Sequence, residues 1–528
     1  MNRRSFLRRA IPVSTIPFLM GGHTLQAFGR SPFLDGLASL AAATDRVLIL
    51  IQLNGGNDGL NMVIPRDQYA ALAAARSNIM IPEAKVLELT TATGLHPAMT
   101  GLQTLYKQGK VAVVQSVGYA TPNFSHFRAT DIWLTGSDAN QILSSGWMGR
   151  YLDAAYPGFP SGYPNATTPD PLAIQIGSVV TPGLQGPAVS MGLAISNPNT
   201  TYILPGATDT PPNTPAGHEL TFVREVAEQT SAYGSSIRTA ASKGKNVSTL
   251  WPTAGSNSLA DQMKIIAQLM SGGLRTGIYV VSLGGFDTHA SQVVGGATDT
   301  GAHATLLSRI SVAISAFMDD AALQGFQDRV VGLTFSEFGR RIKSNASVGT
   351  DHGAAAPLFV FGSGVNGGVY GTNPVLPASA GANDNIAMQF DYRRVYAAII
   401  KDWFGATQTQ LTNILPGYQP LPLIKTNGST GVDDAAVPVA FELRQNYPNP
   451  FNGETKIGFS VPAAGDRVPV RLAVYDITGR EVAVLVDRVV GSGVHEVVFP
   501  ALQMASGTYL YRLQAGANVE TRKMVLVR

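Results

Sequence analysis

The sequence predicts an α/β protein: a three-layer α/β/α core followed by a small all-β sandwich domain. Three observations carry this. Near-continuous apolar runs, such as Val47–Leu53, Gly277–Leu283 and Val330–Phe335, alternate with segments of helical period. That is the pattern of strands buried on both faces beneath two layers of helices. Beyond residue 440 the pattern changes to short runs of alternating apolar and polar residues, as in antiparallel sandwiches. The chain, at 528 residues, is too long for one ordinary core.

Composition narrows the function classes. Hydrophobic residues make up 45% of the chain, enough for a large core, and 56 glycines with 32 prolines predict long ordered loops. The 38 basic and 35 acidic residues nearly balance, at net +3. No basic stripe with interleaved aromatics is present, so nucleic acid is not an expected partner. The absence of cysteine excludes disulfides, thiolate metal sites and cysteine nucleophiles.

The elements follow in order. Residues 1–45 open with Arg3-Arg4-Ser5-Phe6-Leu7-Arg8-Arg9 and a mildly apolar stretch to Met20, which reads as an export signal, with a propeptide before a small-residue cleavage site at Ala41–Ala43. No later segment has the roughly 18 consecutive apolar residues of a membrane span, so none is expected in the mature chain. Residues 46–426 form the core domain. Strands are expected at Val47–Leu53, Val111–Gln115, Leu172–Ile176, Gly277–Leu283, Val330–Phe335 and Pro357–Phe361. Helices are expected at Asp67–Arg76, Ala98–Lys107, Phe124–Leu134, Leu220–Ala241, Ala260–Met270, Ala304–Met318 and Asp391–Phe404. The Pro-, Gly-, Asn- and Thr-rich stretch near 155–217 reads as loops inserted over the sheet. A polar linker at 427–440 precedes the sandwich of 441–528, with Ile457, Phe459, Leu472, Val474, Val484, Val497, Tyr509, Tyr511 and Leu526 expected to face inward.

Acids and histidines gather just beyond the apolar runs. Asp58 follows the first strand in Gly-Gly-Asn-Asp-Gly, where an Asx turn is the plain alternative. Ser125 and His126 stand at a helix start; free N–H groups there favour an anion, and an N-cap serine is the plain alternative. Asp287 and His289 lie two apart in an extended segment, so both side chains can reach one ion; a structural His–Asp hydrogen bond is the alternative. Glu337 and Arg340 follow another strand, and Asp351 and His352 precede the last. Oxygen and imidazole ligands together suit zinc, manganese or iron, with calcium less expected. His96, His218, His303 and His495 offer no clear catalytic place.

Several motifs resemble known families. LNGGNDGLN at 53–61, PNFSHF at 122–127, GGFDTH at 284–289, FSEFGR at 335–340 and GTDHGAAAPLFVFG at 349–362 resemble the DUF1501 family over most of 46–371. That resemblance implies an alkaline-phosphatase-like core related to sulfatases. It implies metal ligation by Asp58, Asp287, His289, Glu337, Asp351 and His352, with Ser125 as nucleophile, His126 beside it and Arg340 on the anion. The Ser336-Glu337-Phe338 stretch departs from the superfamily's usual Asp-His and leaves a second metal in doubt. The arginine pair with Phe6-Leu7 resembles a twin-arginine signal, implying the twin-arginine export machinery as a partner. YPNPF at 447–451, YDITGR at 475–480 and SGTYL at 506–510 resemble the type IX secretion sorting domain, implying that machinery as a second partner and a secreted or cell-surface destination through the periplasm. The implied function is an exported, metal-dependent hydrolase of phosphate or sulfate esters, with an anionic ester substrate that a glycan could carry. The alternative is a noncatalytic secreted or surface module binding glycan or protein.

Overall fold

Residues 18–20, 23–25, 46–200, 214, 231–425, 442–446, 448–461, 468–490, 493–501, 504–515 and 518–527 are described by the computed structural model. The chain divides into two compact units, Met1–Thr426 and Asn427–Arg528. Of the segment read as an export signal, Phe18–Met20 and His23–Leu25 form a short antiparallel pair. The arginine motif, the 427–440 linker, His218, Tyr447 and the first part of the helix expected at 220–241 lie outside the described residues.

Runs of Val, Ile and Leu suit extended backbone, and in the first unit they build a nine-stranded sheet. Its strands are β1 (Val47–Asn54), β2 (Val111–Gly118), β3 (Ala173–Ile176), β4 (Leu193–Ile195), β5 (Ile278–Gly284), β6 (Val330–Phe335), β7 (Ala356–Phe361), β8 (Gly368–Tyr370) and β9 (Phe390–Asp391). The order is β8-β2-β7-β6-β1-β5-β3-β4, with β9 also on β2. β7 runs antiparallel to β6 and β2; the other neighbours are parallel.

Side chains alternate across a strand, so each face needs its own cover. Val47, Ile49, Ile51 and Leu53 of β1 pack with α1 (Thr100–Lys107), α4 (Ser258–Ser271) and α5 (Ala302–Leu323) through Leu102, Met263 and Ile310. Leu48 and Leu50 face α2 (His126–Thr135), α3 (Trp147–Ala155) and α6 (Tyr392–Ala398) through Ile132, Trp147 and Tyr396. Asn257 starts α4 by accepting from the Leu259 and Ala260 amides, and Gly136 stops α2 in the left-handed region.

Several features differ from the sequence expectation. Helix α3 and strand β4 lie in or near the stretch read as loops. Gly149 weakens the helical signal of α3, and burial of Trp147, Met148 and Leu152 overrides it. Asp391–Phe404 is not one α-helix but α6 followed by a π-turn at Ile399–Trp403. A hairpin, Gly339–Ser344 with Thr350–Gly353, occupies polar residues that carry no strand pattern.

The second unit has a three-stranded and a four-stranded sheet, both antiparallel. Ile457, Phe459 and Phe499 from one share a buried cluster with Leu472, Val474, Tyr511 and Leu526 from the other. Val484, expected inside, is 44% exposed. Leu472 pairs with Val486 and Ala473 with Val484, so Leu485 is an extra residue that resets the alternation, and Val486 takes the buried place. The Tyr511 hydroxyl accepts from the Asn446 amide and donates to the Arg444 carbonyl, both at 2.8 Å. Tyr511→Phe should destabilise this unit by about 1–3 kcal/mol. Faster amide exchange at Asn446, against an unchanged Met1–Thr426 unit, is the expected reading.

Candidate metal centre

Parallel strands bring their carboxyl ends to one edge, where loops can carry side chains into a shared crevice. β1 ends into Gly55-Gly56, β5 into Asp287-Thr288-His289, and β6 into Ser336-Glu337-Phe338. β2 leads to α2, which begins at His126. Because β7 is antiparallel, its beginning lies at the same edge, and His352 arrives just before it.

Four of the expected residues meet there. Asp287 Oδ1 is 3.1 Å from His289 Nε2 and 3.2 Å from His352 Nε2, and Asp287 Oδ2 is 3.5 Å from His126 Nε2. The two facing nitrogens of His289 and His352 are 2.9 Å apart. His126, Asp287 and His352 each offer a ligand atom, all within 4.8 Å of one another. Asp287 is half-exposed, so the cluster opens to solvent.

The far side of each ring explains its orientation. His126 Nδ1 lies 2.8 Å from Glu337 Oε1, His289 Nδ1 3.2 Å from Asp351 Oδ1, and His352 Nδ1 2.9 Å from the Phe124 carbonyl. Carbonyl and ionised carboxylate oxygens only accept, so each Nδ1 carries a hydrogen, and a ring in its neutral form then turns a bare Nε2 toward Asp287. Lone pairs converging at such distances require a proton or a cation between them. Ligands held about 2.0–2.2 Å from one ion are about 3–3.5 Å apart, so the spacings of the three histidines from Asp287 and the donor set suit a divalent cation. Imidazoles backed by carboxylate or carbonyl acceptors are the usual way of fixing ligand orientation.

Charge around Asp287 favours its ionised form. Burial opposes ionisation, but the Arg340 guanidinium, together with the facing His352 ring, overcomes it and holds the carboxyl at about 2. The Asn345 amide lowers Asp351 against a smaller burial effect, with help from His289. His352 is lowered by burial, only partly countered by its contact with Asp287.

Residues that carried no functional signal in the sequence complete the frame. The Gly55 amide donates to Glu337 Oε1 at 2.8 Å. Phe338, buried, sets its ring against His352 at 4.5 Å and His126 at 4.9 Å. Both glycines are needed. Gly55 has φ +124° and Gly56 φ +76°; a Cβ would lie 2.3 Å from the Asp287 amide nitrogen in one case and 2.3 Å from the Phe338 ring in the other. In the sequence this stretch reads only as an Asx turn at Asp58, and nothing in it shows how close the glycines come to Asp287.

The remaining expected residues sit differently. Arg340 is 1% exposed and donates to Asp287 Oδ1 at 2.7 Å and to the carbonyls of Gly55, Gly56, Phe286 and Thr350. It braces Asp287 from behind. Asp58 is buried, with both carboxylate oxygens 2.8 Å from Arg76 Nη1 and Oδ2 2.6 Å from Gln292 Nε2. Gln292 in turn accepts from Thr288 and Thr350, so Asp58 reaches the cluster only through its supports. Ser125 is exposed beside His126, and its hydroxyl makes no helix-capping bond. A cleft of about 540 Å³ opens on the cluster, with His126, Phe127, Asp287 and Glu337 in its wall. A separate apolar cavity of about 380 Å³ near Leu172, Met191 and Tyr233 shares none of these residues.

The chain carries a segment, 213–415, that matches the family described as "Protein of unknown function (DUF1501)". Residues 445–527 match the secretion system C-terminal sorting domain. No curated protein matches the chain. Among solved structures, dimeric latent PorU from Porphyromonas gingivalis is 20% identical with TM-score 0.13; the match covers 16% of this chain and only 9% of that one. A phosphonate monoester hydrolase from Silicibacter pomeroyi is 10% identical with TM-score 0.33, covering 90% of this chain and 88% of that one. The PsFucS1 sulfatase from Pseudoalteromonas sp. is 9% identical with TM-score 0.31, covering 91% and 90%. Likeness at this level says nothing about activity.

The buried pair gives a direct test. Asp58→Ala should strand Arg76 without its carboxylate and cost about 3–5 kcal/mol, read as a lower denaturant midpoint. His303 gives a second. Burial lowers this imidazole to about 4, with Asp58 raising it only in part. An unfolded histidine takes its proton near pH 6.5. Between these values the unfolded chain binds the extra proton, so stability falls as pH drops from about 6.5 to about 4. His303→Gln should flatten that part of the curve in urea titrations at stepped pH.

Proposed function

We propose that this protein is an exported, metal-dependent hydrolase of phosphate or sulfate esters, built on an alkaline-phosphatase-like core. The observation that supports it best is the convergence of His126, His289 and His352 on Asp287, each ring backed by an acceptor at Nδ1. A divalent metal bound there, such as zinc, manganese, iron or calcium, would polarise the ester and make an oxygen nucleophile available near neutral pH.

The chain's own residues then have distinct work. His126, Asp287, His289 and His352 hold the ion. Glu337 and Asp351 keep His126 and His289 in the ligating tautomer and raise their basicity. Arg340 fixes the Asp287 carboxylate, and Asp58 steadies Thr288 through Gln292. Ser125, exposed next to His126 with an unspent hydroxyl, is the candidate nucleophile. The hydrolase would span 46–426 and the sorting domain 441–528. The sorting-domain match supports type IX export to the surface or medium, and the arginine pair before Phe6-Leu7 is the ground for twin-arginine passage into the periplasm ahead of it.

Elemental analysis of protein processed in a host that exports it is the test. Stoichiometric metal is expected, lost in the Asp287→Ala/His289→Ala double variant. Glu337→Gln should weaken metal affinity about 10–100-fold, and Ser125→Ala should keep the metal while losing metal-dependent ester turnover. Protein that takes up no metal after an attempted reload would refute this reading and favour the noncatalytic binding module.

A further inference from the structure

The cleft carries two features that ester hydrolysis alone does not require. The first is its charge. Among the described residues, those lining it include no lysine or arginine. Around the cluster stand the carboxylates Asp287, Glu337 and Asp351 and the guanidinium groups of Arg340 and Arg341. Arg340 is buried, and Arg341 is directed to the His352 and Ala382 carbonyls and the Asn383 side chain. At the rim, Asp131 is paired with Arg128 and cancels. With ligating histidines neutral, three carboxylates against two guanidinium groups leave one negative charge. A divalent ion turns that into one positive charge. A singly charged ester closes the balance. A doubly charged ester overshoots it, and its surplus falls near Glu337, which is 2% exposed and faces the Gly55 N–H and His126 Nδ1, while the Ser336 hydroxyl donates more closely to the Leu53 carbonyl.

The second feature is the wall. Phe127, Thr130, Asp131 and Leu134 lie three and four residues apart on α2, so one helix stripe faces the cleft. Phe127, next to His126, is 91% exposed. A lone exposed ring needs no explanation. A ring on the wall of a metal cleft, one residue from a ligand, offers a flat apolar surface at a fixed distance from the reacting group.

We infer that the cleft selects a tetrahedral monoanion over a dianion, and that the group beyond the ester bond is flat and apolar and lies on Phe127. This rests on the anionic-ester reading of the same site and narrows its substrate class to diesters of phosphate or monoesters of sulfate.

Two probes separate the charges. Methyl phenylphosphonate carries one negative charge, and phenylphosphonate carries two at alkaline pH. Titration calorimetry on metal-loaded protein should give about tenfold tighter binding of the first. At saturating metal, Glu337→Gln should narrow that gap, which a steric effect of the methyl group would not do. Phe127→Ala should weaken methyl phenylphosphonate about three- to tenfold and leave methyl methylphosphonate unchanged. Equal or tighter binding of phenylphosphonate overturns the charge selection and leaves the hydrolase reading intact. Unchanged affinity in Phe127→Ala overturns the role of the wall. Failure of every probe to bind metal-loaded protein overturns the anionic-ester reading and this inference together.

Discussion

One buried guanidinium holds the site together. Arg340 bonds to carbonyls of Gly55 and Gly56 after β1, of Phe286 after β5 and of Thr350 in the hairpin, and to the Asp287 carboxylate. A guanidinium out of water must spend its donors on protein oxygens. The strand ends are therefore drawn to fixed positions around it, and the position of Asp287 is a consequence. The close approach that this demands is open only to glycine at 55 and 56. A tier further back, Arg76 repeats the arrangement with Asp58 and the carbonyls of Arg341 and Ile342. In both tiers the buried charge pins loops.

Topology brings in the remaining ligands. In a wholly parallel sheet every strand would leave this edge only from its carboxyl end. The reversed strand β7 adds an amino end, and the hairpin preceding it places His352 and Asp351 opposite His289. Phe338 packs beside the rings of His126 and His352, which themselves meet edge-on at 4.6 Å. The glutamate-phenylalanine stretch of this chain thus contributes an acceptor behind one histidine and an apolar wall beside two.

How much of this was legible in the sequence follows from what periodicity can carry. β1, β5, β6 and β7 are apolar on both faces, which marks them in any window. Asp287 and His289 are marked by a spacing that geometry turns into a shared side. The hairpin of 339–353 was not legible, because its residues are polar and its pairing is dictated by buried partners far away in sequence. His126 reads as a companion to Ser125; only the crossing of β2 and α2 brings it to Asp287. Arg340 reads as an anion binder because charge is visible in a sequence and burial is not. Arg76 gives no signal at all. It stands at the end of a short helix like any surface arginine, yet is fully buried.

The backing groups also decide how rigid the site is. A free imidazole can turn either nitrogen toward an ion, and it loses that freedom on binding. Here each ring is held at Nδ1 before any ion arrives, and Phe338 restricts two of them from the side. The loss has been met during folding, so an incoming cation finds Nε2 atoms already directed at one point. Cluster and frame are therefore coupled unequally: removing a histidine ligand leaves the Arg340 frame its carboxylate, whereas loosening Arg340 or Gly55 disturbs Asp287 and the strand ends around it at once.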